Sequence, residues 1–209
     1  MTDPYLLLTP VLALAVLALA RFVGCDWVFR LDEVPPQPTD LPFVKSFDLG
    51  TPRTDPANPF TGWVGMTILV GADPITVTQL GRIMLTASTA AHDIKLVQPA
   101  GPSGGVDLGT VTIPPSAAIM PSASNPGFAY ATLQPTVVLL ANTEYYVVSH
   151  ETTPGDVWHN FDTTVTPVDV NVAQVRSGVF NDDNNPAYQP AGGPGNTYGP
   201  VDFKHEAPA

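Results

Sequence analysis

From residue 31 onward, proline and glycine recur too closely for long helices. The chain holds 24 prolines and 17 glycines, nearly all of them in this region. Proline removes a backbone donor and clashes with the preceding turn, and glycine loses more conformational freedom on folding than any other residue. Between these breaks lie short runs rich in Val, Ile, Thr and Tyr, which suit a pleated, half-buried surface. Ile75-Thr76-Val77-Thr78 and Val106-Asp107-Leu108 alternate with the period of two expected of a strand. Strands are predicted at 44–49, 63–70, 75–85, 92–97, 106–113, 128–133, 137–140, 144–149, 157–161, 168–180 and 201–205. Residues 186–199, rich in Pro, Gly and Asn, read as a long loop. The predicted fold class is all-β: an antiparallel β-sandwich, jelly-roll or immunoglobulin-like, preceded by a single N-terminal transmembrane helix.

That helix is predicted from residues 5–23, YLLLTPVLALAVLALARFV. The run is long enough to cross a hydrocarbon core of roughly 30 Å at ~1.5 Å per residue. Tyr5 and Trp27 would stand about 33 Å apart on a straight helix, the spacing of aromatic belts at the two interfaces. An apolar run of this kind can also be a cleaved secretory signal, a lipoprotein signal or a helix buried in a protein assembly. The secretory signal lacks its basic n-region here, since Met-Thr-Asp-Pro comes first. The lipoprotein signal would use Phe22-Val23-Gly24-Cys25, with Phe22 in place of the usual Leu. Arg21 and Arg30 follow the span, and the positive-inside rule would leave the C-terminal side in the cytoplasm. The composition of the main domain argues for the opposite side. Residues 1–30 are thus expected to be the anchor, 31–42 a Pro-rich linker, and 43–209 the sandwich.

Charge narrows the function classes. Eight basic residues stand against nineteen acidic ones, a formal net charge of −11. No basic stripe exists for a nucleic-acid partner. One cysteine excludes an intrachain disulfide and a multi-cysteine metal site.

Candidate chemistry lies in three places. Asn181-Asp182-Asp183-Asn184-Asn185 is the densest run of oxygen ligands. Asp182, Asp183 and Asn185 are candidate calcium ligands, although EF-hand spacing is absent and a solvated turn is the simpler explanation of the run. No other cofactor is expected. His150, Glu151, Asp156, His159 and Asp162, which flank Trp158, could supply a metal group, but match no zinc spacing, and polar loop residues beside two strands explain them more simply. Ser149 and His150 are adjacent on a predicted strand, so they point to opposite faces and cannot pair directly. No Gly-x-Ser-x-Gly elbow, phosphate loop or dinucleotide fingerprint occurs. Trp63, Trp158, Tyr145, Tyr146 and Tyr188 could form a sugar-stacking platform, or could be core residues.

Four segments carry a resemblance: Ile75 to Gly81 (ITVTQLG), Asn142 to Ser149 (NTEYYVVS), Asp156-Val157-Trp158, and Tyr198 to Lys204 (YGPVDFK). Over residues 43–205 the chain resembles uncharacterised β-sandwich modules of secreted and surface bacterial proteins. The resemblance implies an extracytoplasmic, non-catalytic module. The expected function is a membrane-anchored structural subunit, periplasmic or extracellular, that stabilises a larger membrane assembly. Its partners would be other membrane protein subunits, and lipid through residues 5–23. The alternative is a surface carbohydrate-binding or adhesive module with glycan partners.

Overall fold

The segment FTGWVGMTILV shows how the sequence builds this fold. It forms β4 (Phe60–Val70), whose alternate residues Met66, Ile68 and Val70 are fully buried while Trp63 turns to the other face. The structure, a computed structural model, describes residues 40–84, 88–101, 104–115 and 127–207. The apolar run 5–23, the interfacial residues Tyr5 and Trp27, Cys25 and nearly all of the Pro-rich linker lie outside them. Among the described residues, no helix is long and apolar enough to cross a membrane.

The other strands are β1 (Leu41–Pro42), β2 (Val44–Asp48), β3 (Pro52–Arg53), β5 (Ile75–Ile83), β6 (His92–Ala100), β7 (Gly104–Ile113) and β8 (Phe128–Leu139). They continue with β9 (Glu144–Thr153), β10 (Trp158–Pro167), β11 (Ala173–Asp182), β12 (Asn185–Ala191), β13 (Asn196–Gly199) and β14 (Val201–His205). A six-stranded sheet runs β12-β11-β4-β9-β6-β7. A four-stranded sheet runs β1-β14-β5-β8, and a smaller one runs β13-β10-β2 with β3 also on β10. All the pairings are antiparallel.

The main core lies between the six-stranded sheet and the other two. Met66, Ile68, Ile94, Leu96, Tyr145, Val147 and Val175 come from the large sheet. Val77, Leu80, Phe128, Leu133 and Phe203 meet them from the four-stranded sheet, and Val44 and Val165 from the smaller one. Phe43 stacks on Phe203 with ring centroids 4.7 Å apart. The result is an all-β, sandwich-like domain.

One irregularity matters for the outer face. Between Val175 and Ser177 the pairing of β11 with β4 shifts by a residue. A bulge of this kind reverses which side chains face the core. Before it, Ala173 and Val175 join the main core; beyond it, Val179 belongs to a cluster on the opposite face.

The structure corrects several expectations. Residues 186–199 contain β12 and β13, where a loop was expected. β12 is an edge strand, where a missing proline N–H need not break a ladder. The predicted strands 128–133 and 137–140 are one strand, β8, with Pro135 inside it; β8 is also an edge, and its pairing with β5 shifts between Val77 and Gln79. The predicted strand 168–180 begins only at Ala173, after a turn in which Asp169 Oδ1 accepts the Asn171 amide at 2.8 Å.

Candidate functional site

The six-stranded sheet turns its second face away from the main core. Val97, Val148, Val179 and Tyr188 form a separate buried cluster there, with Trp63 and Tyr146 packed against it. Strand register brings them together. Trp63 lies opposite His150 on β9 and Asn181 on β11, Val97 opposite Tyr146, and Lys95 opposite Val148. Although β7 and β12 are the two edges of this sheet, they contact each other across the face. Gly105 makes the approach feasible. A Cβ there would collide with Val97 and stand 3.2 Å from Tyr188 Cε2.

Between these two strands the face forms a wide, open cleft of about 790 Å³. Small-molecule sites usually measure roughly 300–1,000 Å³. Gly104, Gly105 and Asp107 form one wall, Pro186, Ala187 and Tyr188 the other, with Lys95 and Asn181 between them. The Lys95 ammonium lies 4.0 Å from the Trp63 ring centroid, 5.9 Å from that of Tyr188 and 3.2 Å from Asp107 Oδ1. Tyr146 and Tyr188 pack with centroids 4.9 Å apart. His150 stands edge-on to Trp63 at 5.1 Å, with Nε2 3.1 Å from Asp183 Oδ2. The Asn181 side chain is engaged: Oδ1 accepts the Trp63 amide and Nδ2 donates to the Pro186 carbonyl, both at 3.2 Å.

Tyr188 differs from these neighbours. It is only 7% exposed, yet its hydroxyl has no hydrogen-bond partner. Burial raises its pKa, and the negative charge of Asp107 adds to the rise, so the hydroxyl keeps its proton and can donate. Buried hydroxyls are usually paired, and an orphan one calls for a cause.

Of the five predicted platform residues, the structure brings together Trp63, Tyr146 and Tyr188. Tyr145, next to Tyr146, faces the main core and its hydroxyl accepts the Leu140 amide at 3.0 Å. Trp158 is buried with Val64 and Tyr198, and its indole N–H donates to Thr153 Oγ1 at 3.0 Å.

The predicted calcium ligands sit on the β11–β12 hairpin, close to the cleft. Asp182 Oδ1 accepts the Asn184 amide at 2.7 Å, and Asn185 Oδ1 accepts the Ala187 amide at 3.3 Å. Asp183 is the partner of His150. These side chains therefore shape the turn. Among the described residues, no group of three or more His, Cys, Asp or Glu side chains is placed to hold a metal ion.

The predicted group at 150–162 is dispersed. His150 faces the cleft, while Glu151 points into the sandwich and is fully buried. Asp162 is bonded to Thr51 on the surface. His159 is buried elsewhere, with Nδ1 unpaired. Ser149 donates to Glu151 Oε1 at 2.7 Å, on the side away from His150.

A buried polar network emerges from part of that region. Arg82 Nε and Nη2 donate to the two Glu151 oxygens at 2.6 and 2.9 Å, joining the four-stranded sheet to the six-stranded one. His92 Nδ1 stands 3.4 Å from Glu151, and its Nε2 3.0 Å from Asp156. Burial disfavours charge on His92, but Glu151 and Asp156 outweigh it and raise its pKa. Asp156 also accepts the Thr89 and Ala90 amides at 2.8 and 2.9 Å. One sequence signal pointed here: a charged Arg82 inside the otherwise uncharged strand β5. Every carboxylate in the network is already engaged within the protein.

No family model and no curated protein matches this chain.

Proposed function

We propose that this domain is a non-catalytic binding module that holds a glycan in the cleft between β7 and β12. The observation that carries the proposal is a depression lined by Tyr188 together with the polar side chains Lys95, Asp107 and Asn181, with Trp63 and Tyr146 packed against the same cluster. Sugars offer apolar C–H faces that pack on aromatic rings and hydroxyls that satisfy isolated polar groups. The apolar run 5–23 and the prolines of 31–42 suit a single-pass anchor that displays the domain on the periplasmic or extracellular side.

The direct test is a glycan array probed with the full chain in mild detergent. Retention of defined glycans, lost in both Trp63→Ala and Tyr188→Ala with unchanged circular dichroism, is the expected result. No retention by the parent chain would refute the proposal.

A second role, a structural subunit of a larger membrane assembly, is favoured by the same apolar run and by Val138 and Leu140. Val138 in the edge strand β8 and Leu140 just past its end are each 58% exposed. Gentle extraction from native membranes followed by native electrophoresis tests it. A large complex is expected, and migration as a lone monomer refutes it.

A further inference from the structure

We infer that the cleft selects uncharged glycans and rejects uronate and sulfated ones; this rests on the glycan proposal above. Among the described residues, Lys95 is the one Lys or Arg lining the cleft. Its charge is already used: Asp107 lies at 3.2 Å, the Trp63 ring at 4.0 Å, and the side chain is only 12% exposed. An anionic sugar would have to take Lys95 from Asp107 and leave two carboxylates beside one ammonium. Like charges held that close repel.

The opposite wall offers no compensation. Asp182 and Asp183 sit on its hairpin, and His150 is paired with Asp183. At longer range, the formal charge of −11 repels polyanions. Rejection of the wrong charge is a common source of specificity. A neutral sugar meets none of these obstacles. Its hydroxyls can bridge the Lys95–Asp107 pair without breaking it.

Tyr188→Phe keeps the ring that packs on Tyr146 and removes only the buried, unpaired hydroxyl, so it should leave the stability of the chain unchanged or raised. Asp107→Asn removes the repelling carboxylate and frees Lys95. Uronate binding should then appear.

The experiment is calorimetric titration of the full chain in mild detergent with two sets of oligosaccharides at matched chain length. One set is neutral (gluco-, xylo-, manno- and N-acetylglucosamine oligomers). The other is anionic (galacturonate and alginate oligomers, and a heparin fragment). Binding confined to the neutral set, with uronate binding gained in Asp107→Asn, is expected. Anionic sugars bound as well as or better than neutral ones would overturn the charge selectivity while leaving glycan binding intact. Binding of neither set overturns both.

Discussion

Glu151→Gln tests the network that ties the two sheets together. In the parent, Glu151 receives Arg82 Nε at 2.6 Å, Arg82 Nη2 at 2.9 Å and Ser149 Oγ at 2.7 Å, and it is 1% exposed. The substitution preserves shape but removes the charge, leaving the Arg82 guanidinium buried without its counter-ion. Breaking such a pair from one side costs about 3–5 kcal/mol, because the remaining charge has lost its solvation and gained nothing in exchange. At ~1.4 kcal/mol per decade, the folding equilibrium shifts by roughly 100- to 4,000-fold. The assay is urea unfolding followed by tryptophan fluorescence at pH 7. Replacing both partners, Arg82→Met with Glu151→Leu, should recover most of the loss, since neither charge is then stranded. A single-variant loss under ~1 kcal/mol, or a double variant equal to the sum of the two singles, would show that the network carries no such coupling.

Other outcomes follow from the same geometry. Burial lifts the Asp202 carboxyl to about 7, against the opposing hydrogen bonds from Tyr130 and the Val44 and Phe203 amides. Its folded-state pKa lies above the unfolded value, so its contribution is complete at about pH 4 and is lost as pH rises through about 7; Asp202→Asn should flatten that decline in urea midpoints. Asp156 behaves with the opposite sign. Burial opposes its charge, but the Ala90 and Thr89 amides and His92 pull it down to about 2. Its stabilisation is present above the ordinary carboxylate range and disappears as pH falls toward 2, so Asp156→Asn should destabilise at pH 6 and far less in strong acid. Gly105→Ala would collide with Val97 and crowd Tyr188; a loss of about 1–3 kcal/mol, or a displaced β7 wall seen as altered amide shifts around Gly104–Asp107, is expected. Lys95→Met keeps the stem and removes both the ion pair and the contact with Trp63, and should shift tryptophan emission at a cost of about 0.5–2 kcal/mol.

Particular residues show how far the sequence reached. The strands whose apolar residues alternate against polar neighbours, such as β5 and β7, were legible from period two alone. β12 and β13 were hidden because their Pro, Gly and Asn content is that of a loop, and only their placement beside β11 and β10 makes them strands. The aromatic platform was half legible. Adjacent Tyr145 and Tyr146 must face opposite ways on a strand, but which one faces outward depends on the register of β9 with β4 and β6. The Arg82–Glu151 pair joins positions far apart in the chain and matches no local pattern, so a lone arginine in an uncharged strand was its one trace.

The bulge at Arg176 has a consequence for how this domain can change over time. β11 serves two masters: Val175 fills the sandwich interior and Val179 floors the cleft. If the full-length strand paired without the bulge, uninterrupted alternation would send Val179 inward and turn Phe180 toward the cleft. Losing the Arg176 codon would instead leave Val175 opposite Ile68 and Ser177 opposite Thr67, so the bulge would vanish while both faces kept their residues. The bulge thus marks a place where the chain can shorten by one residue without exchanging interior for outer surface.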